Sequence, residues 1–148
     1  MTDEAMMQHA ISLAKQAAEL DEVPIGAVVF HKNTVVGEGF NHKESTQDPT
    51  AHAEMIAIAQ AAKHLGRWRL FDCTLVVTLE PCPMCAGAIV NARLDRVVFG
   101  AYDQKAGACR TLYTIADDPK LNHRAEVVCG VLETECIDLL QSFFMTKR

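Results

Sequence analysis

Cys73-Thr74-Leu75-Val76-Val77-Thr78-Leu79-Glu80-Pro81-Cys82-Pro83-Met84-Cys85 passes from an apolar, β-branched run directly into a helix start. Cys73 to Thr78 reads as a strand, because Leu75-Val76-Val77 suits a surface buried on both sides. Pro83 can occupy the first position of a helix, where its missing N–H costs nothing, with Cys82 as the cap residue. That helix is expected to end near Leu94. Cys82 and Cys85 lie three apart, so their sulfurs can lie on one side and reach one ion. A helix N-terminus favours thiolate over thiol, which is the ligating form.

Upstream lies His52-Ala53-Glu54, with Glu80 following Glu54 by 26 residues. Asp48-Pro49-Thr50 precedes it, and Asp48 or Thr50 can cap a helix running to about Leu65, with Ile56, Ala59 and Ala62 inward. His52 then offers a nitrogen ligand from the start of a second helix. Three protein ligands leave one tetrahedral position open to water, as catalytic zinc sites do. Glu54, two residues beyond His52, does not share its helix face and is poorly placed as a fellow ligand. It is the natural group to move protons between an activated water and the substrate. A structural zinc knuckle or a pair of core cysteines is the plainer alternative, and Cys109 or His123 is a conceivable fourth ligand. Mixed thiolate and imidazole suits zinc, and also iron or cobalt.

The rest of the chain fits a layered α/β domain with helices on both faces of a mixed sheet. Glu4 to Leu20 carries Met7, Ile11, Ala14 and Ala18 at helical spacing. Ala27 to Phe30 and Val35 to Phe40 read as strands of a hairpin turning near Lys32-Asn33. Asn41 to Thr50 is a polar loop. Val97 to Gly100 and Val127 to Val131 are further strands, and Glu133 to Met145 is a closing amphipathic helix. Gly107 to Thr114 is ambiguous and can hold a short helix. One domain over residues 1–148 is the expected organisation.

Hydrophobic residues make up 49% and charged residues 22%, the balance of an ordinary globular domain. No apolar run approaches the roughly 20 residues of a membrane span. Met1-Thr2-Asp3-Glu4 is acidic and unlike a signal peptide, and the Cys-x-x-Cys spacing suits reduced thiols, so a cytoplasmic protein is expected. Cys73, Cys109, Cys129 and Cys136 are expected to be buried or incidental, and His9, His31, His42 and His64 to lie at the surface. The net charge of −5 argues against indiscriminate nucleic-acid binding. A local basic face remains open, from Arg67, Arg69, Arg93, Arg96, Lys105, Arg110, Lys120, Arg124, Lys147 and Arg148.

The ordered pattern His-x-Glu…Pro-Cys-x-x-Cys resembles the signature of zinc-dependent nucleobase deaminases. Over nearly its whole length the chain is similar to bacterial tRNA-specific adenosine deaminases, in the cytidine-deaminase-like superfamily. The matching stretches include Glu22-Val23-Pro24-Ile25-Gly26-Ala27-Val28, Pro49 to Met55, Trp68-Arg69-Leu70, Thr78 to Ala88, Arg96 to Ala101 and Asn122-His123-Arg124. The resemblance implies a three-layer α/β/α fold on a mixed five-stranded sheet, and a homodimer. It implies one Zn2+ per subunit held by His52, Cys82 and Cys85, with Glu54 as proton shuttle. The implied reaction is hydrolysis of adenosine to inosine at the first, wobble, anticodon position of a tRNA anticodon stem-loop.

By the same resemblance Asn41 contacts the target nucleoside and the Ala53 N–H faces the base. Asp103 and Lys105 lie on a substrate-facing loop, Asn122, His123 and Arg124 on an RNA-side segment, and Phe144 near the anticodon loop. A loop base is already partly unpaired, so extruding it costs less than opening a duplex.

Two departures stand out. Ala108-Cys109-Arg110-Thr111-Leu112 puts a bulky cation where the family has a small residue, and Arg110 is expected either to contact phosphate or to alter the loop. The chain ends at Arg148 without the basic extension of many relatives. The competing expectations are a zinc deaminase of a free nucleobase or nucleoside, such as guanine, cytosine or cytidine, and a non-catalytic zinc-stabilised RNA-binding domain. Glu54 argues against the last, which has no need of a carboxylate beside an open metal position.

Overall fold

The computed structural model describes residues 1–147. Its sheet comprises β1 (Gly26–His31), β2 (Thr34–Phe40), β3 (Cys73–Leu79), β4 (Arg96–Ala101) and β5 (Glu126–Val128). They lie in the order β2-β1-β3-β4-β5. β1 is antiparallel to both β2 and β3, while β3, β4 and β5 run parallel, so the sheet is mixed as expected. The helices are α1 (Asp3–Glu19), α2 (Lys43–Thr46), α3 (Ala53–Leu65), α4 (Pro83–Asn91) and α5 (Glu133–Met145).

Strand alternation divides the interior into two cores. Ala27, Val29, Leu75, Val77, Val97 and Phe99 join a core with Ala53, Ala57 and Ala61 of α3 and Ala86 and Ile89 of α4. Val28, Phe30, Val76 and Val98 face the other way, onto Met6, Met7, Ala10 and Ile11 of α1 and Cys136 of α5. The central strands are apolar on both faces because helices cover both. The result is three α/β/α layers. Among the described residues no helix is long and apolar enough to cross a membrane.

β2 packs Val36 into the α3 core and otherwise meets the helix through its backbone. A Cβ on Gly39 would lie 2.4 Å from the Ala53 carbonyl oxygen, and one on Gly37 2.2 Å from that of Ala57. The two glycines let the first turn of α3, with His52 just ahead of it, press directly onto the sheet.

Several expected details differ. The loop after β2 contains α2, because the Glu22 carboxylate accepts the N–H groups of Glu44 (3.1 Å) and Ser45, orphan donors of its first turn. Neither Asp48 nor Thr50 caps α3. Asp48 instead accepts the Thr50 N–H and hydroxyl, both at 2.8 Å, and the cap residue is His52. The inward face of α3 is Ala53, Glu54, Ala57 and Ala61 rather than the expected set; Ile56 and Ala62 are half-buried and Ala59 is exposed. Residues 107–114 form turns rather than a helix, with a short 3-10 turn following at Ile115–Asp117. Ile89 and Val90 of α4 belong to the interior.

Candidate active site

α3 and α4 both aim their N-termini at one spot. His52 and Cys82 are the two cap residues, in extended conformations, and Cys85 sits one turn into α4. His52 Nδ1 lies 3.6 Å from Cys82 Sγ and 3.5 Å from Cys85 Sγ. All three ligand atoms fall within 4.8 Å of one another, and they are the one such His/Cys/Asp/Glu cluster among the described residues. Zinc–nitrogen and zinc–sulfur bonds of about 2.0 and 2.3 Å give a tetrahedral N···S edge of about 3.6 Å. The donor set therefore fits zinc with little adjustment. Cys109 and His123 stay outside the cluster, and His123 Nε2 bonds the Leu94 carbonyl at 2.7 Å.

The two sulfurs are unequal. The Cys85 thiol and the His52 ring hydrogen-bond Cys82 and hold its pKa down, at about 4. Cys85 is pushed up, because its proton is shared toward Cys82 and it is fully buried. The remaining buried cysteines behave as inert core thiols: burial raises Cys73 to about 11 and Cys136 to about 12. Cys109 is likewise buried and raised, and Cys129 is half-buried.

Glu54 lies in the first turn of α3 and is 4% exposed. Burial drives its pKa up to about 7, with the Cys82 thiolate adding to the rise against its own backbone N–H. Asn41, 8% exposed, accepts the Ala53 N–H on Oδ1 at 3.0 Å. A side chain twelve positions away thus does what a local N-cap would do. The Ala53 amide expected to face the base is here bonded to Asn41.

Asn41, His52, Glu54 and Cys82 line one pocket of about 210 Å³, with Lys43, Leu79, Glu80, Asp103 and Ala106 on its walls. Two buried carboxylates outside the sequence expectations hold those walls. Glu22 holds the α2 segment, as described above. Glu80 holds the 103–111 loop through the N–H groups of Asp103, Cys109, Arg110 and Thr111. A carboxylate in a pattern of polar loop residues gives no periodic signal; the sequence clue was a glutamate just before Pro81, at the end of an apolar strand.

Burial alone would raise both carboxylates. The Ser45 hydroxyl and the Glu44 and Ser45 amides bring Glu22 below its usual 4.5, and the Thr111 hydroxyl and loop amides do the same for Glu80. A group whose pKa is lower folded than unfolded stabilises above the unfolded value, and that contribution disappears as pH falls through the folded value. Metal-free protein is expected to lose thermal stability below about pH 4.5, and Glu22→Gln to flatten that acid limb. Melting curves of the two proteins from pH 7 to pH 3 provide the check.

The other expected substrate residues divide into two groups. Asp103 is in the pocket, where its Oδ1 accepts the N–H groups of Lys105 (3.0 Å) and Ala106 (3.2 Å). Lys105 and Phe144 line an adjoining hollow of about 390 Å³ with Tyr102 and Leu140, and Asp103 borders both spaces. Asn122, His123 and Arg124 line a separate surface hollow with Leu121 that shares no residue with the pocket. The basic face does not form as one surface. Arg96 pairs with Asp3 and Glu126, Lys147 with Asp21, and Arg110 with Asp117 at 3.0 Å. Arg69 and Arg93 stack on exposed Trp68 instead. Arg148 lies outside the described residues. Of the two expectations for Arg110, altering the loop fits its pairing with Asp117 and the Cys109 carbonyl.

A MafB19-like deaminase family model matches residues 1–148. The tRNA-specific adenosine deaminase of Bacillus subtilis (strain 168) is 51% identical over 146 residues, covering 99% of this chain and 91% of that protein. That of Haemophilus influenzae (strain Rd) is 49% identical over 147 residues, 99% of this chain and 85% of that protein. A solved structure from studies of A-to-I editing by tRNA:A34 deaminases superposes with a TM-score of 0.88 and 40% identity, covering 92% of this chain and 99% of the other. A buried glutamate beside a His/Cys/Cys cluster, on this sheet and with these relatives, leads to one conclusion: the chain belongs to the tRNA-specific adenosine deaminase family.

Proposed function

We propose that this protein hydrolyses adenosine to inosine at the first anticodon position of tRNA, as one domain spanning residues 1–148 in the cytoplasm. The observation that carries the reading is a buried glutamate lining the same small pocket as His52 and Cys82 of the three-ligand cluster. His52 Nδ1, Cys82 Sγ and Cys85 Sγ hold one zinc per subunit. Zinc, when bound, makes water a competent nucleophile at neutral pH.

Glu54 is the acid–base group. It accepts a proton from the attacking water on its carboxylate, delivers one to the purine ring nitrogen, and supports departure of ammonia. Its burial keeps competing water away and favours a carboxyl that exchanges protons near neutrality. Asn41 positions the start of α3, so that the Ala53 backbone and the Glu54 carboxyl sit at fixed places against the base. The pocket, at about 210 Å³, is below the usual range for drug-sized ligands and suits a single extruded base. Asp103, Lys105 and Phe144 take the nucleotides beside it, and Asn122, His123 and Arg124 meet the RNA away from the pocket.

The proposal includes a homodimer. α3 presents exposed Ala59 beside half-buried Ile56, Ile58 and Ala62, and nothing lies within 4 Å of a Cβ built on Gly87 of α4. Small apolar residues of this kind allow two helix pairs to approach closely. Sedimentation at micromolar concentration tests that part.

The reaction is tested with the zinc-loaded protein and an anticodon stem-loop bearing adenosine at the first anticodon position, beside free adenosine, adenine, guanine, cytosine and cytidine. Inosine is expected in the stem-loop, with turnover at least about 100-fold above any free base or nucleoside, since flanking contacts supply the orientation that a lone base lacks. Turnover of free guanine or cytidine alone would overturn the tRNA reading and leave a small-molecule deaminase.

A further inference from the structure

Glu80 follows β3 and is 2% exposed. It is two residues from a cluster cysteine, yet its carboxylate contacts no member of the cluster. All of its side-chain hydrogen bonds go to one loop. Oε1 accepts the Asp103 N–H at 3.1 Å and the Thr111 hydroxyl. Oε2 accepts three successive N–H groups, from Cys109 (3.1 Å), Arg110 (2.7 Å) and Thr111 (2.8 Å). The two oxygens thus pin both ends of residues 103–111.

The loop has shed whatever would obstruct this arrangement. A Cβ at Gly107 would lie 2.4 Å from Oε1, so that position admits glycine alone. The loop then closes on itself through the Gly107 N–H, which donates to the Asp103 carbonyl at 2.9 Å. A buried carboxylate is an expensive way to fill interior space. An apolar side chain would serve packing alone, but it could not gather four amides and a hydroxyl. The ionised form has acceptor sites and no proton to oppose these donors.

Asp103 lines both the 210 Å³ pocket and the 390 Å³ hollow that contains Tyr102, Lys105 and Phe144, and is the loop's residue among the three they share, the others being Val23 and Leu79. Wherever Glu80 sets the loop, it sets the partition between the two spaces. We propose that Glu80 is a positioning residue that fixes the 103–111 loop as the dividing wall between the base pocket and the adjoining hollow, and thereby selects an adenosine embedded in an RNA strand over a free nucleoside. This rests on the tRNA reading above. Glu80 lines the pocket, but both of its carboxylate oxygens are engaged by the loop, and it acts through Asp103 and that loop.

The test uses the full-length, zinc-loaded protein and Glu80→Gln. The amide keeps the size of the carboxylate but turns an NH2 group toward N–H and O–H donors at one end of the loop. Steady-state kinetics on the stem-loop are expected to show KM raised about tenfold with kcat within about threefold of the parent, the signature of lost strand binding rather than lost chemistry. Zinc content is expected to stay at the parent level. Amide hydrogen exchange at Asp103, Cys109, Arg110 and Thr111 is expected to quicken while β3 and α4 stay protected.

Thr111→Val removes only the hydroxyl contact and guards against misfolding of the first variant. It is expected to raise KM about two- to threefold, and to add little when combined with Glu80→Gln, because both act through one loop. Unchanged KM in both variants would overturn the proposal. So would a fall in kcat alone, or equal loosening across the whole sheet. A parent protein that fails on the stem-loop would instead refute the tRNA reading, and the exchange pattern would still judge the clamp.

Discussion

Glu54→Gln is expected to lower kcat on the stem-loop by about 10⁴-fold, while the protein keeps its fold and its zinc. The substitution preserves shape at a site where only 4% of the residue is exposed, so packing against β2 and the ligand cluster survives. Only the ability to accept and return a proton is lost. General acid–base groups are worth roughly 10²–10⁴ in rate, and a single carboxyl serving several transfers belongs at the upper end. KM is expected to move little, because Glu54 is not a strand-binding group. The measurement is single-turnover inosine formation, with metal analysis and a melting curve on the same preparation. A variant that retains zinc and more than about a tenth of parental kcat would remove Glu54 from the chemistry.

Cys85→Ala is expected to abolish activity by a different route. The variant loses one of three metal ligands and cannot replace it, since neither Cys109 nor His123 reaches the cluster. Bound zinc is expected to fall below about a tenth of an equivalent, and turnover below detection. Stability is expected to drop as well. A ligand that binds only the folded state contributes RT ln(1 + [L]/Kd), about 4 kcal/mol at a thousandfold excess over Kd, and the variant forfeits this. Chelation of the parent protein separates the terms. It removes the metal and leaves the side chain, so the chelated parent and the variant are expected to melt within a few degrees of each other. A variant that holds a full equivalent of zinc and deaminates the stem-loop would overturn the ligand assignment.

Much of this was legible in the chain because it is written in local patterns. The Leu75-Val76-Val77 run, the Pro83 helix start and the spacing of Cys82 and Cys85 are short-range features, and strand, helix and cluster appear where they were expected. What escaped notice depends on partners distant in the sequence. The N–H group of Ala53 at the start of α3 is taken by Asn41, not by the neighbouring Asp48 or Thr50. The α2 turn exists because Glu22 accepts its amides from 22 and 23 residues away. In residues 107–114 the N–H groups of Cys109, Arg110 and Thr111 turn onto Glu80, 29 to 31 positions away. In each case one buried polar side chain outcompetes a local preference, and no periodicity reports it. Three candidate cations of the basic face, Arg96, Arg110 and Lys147, have acidic partners elsewhere in the chain for a related reason.

Gly37 and Gly39 have a consequence for how such a protein can change. Because α3 approaches β2 backbone to backbone at these two positions, the location of His52 depends on two absent methyl groups as well as on the Val36 and Asn41 side chains. The rim loops are held by separate contacts, such as those to Glu22 and Glu80, and not by this backbone seam. The same scaffold is therefore well suited to laboratory selection for new nucleobase targets, provided libraries leave those two glycines untouched and concentrate on the walls.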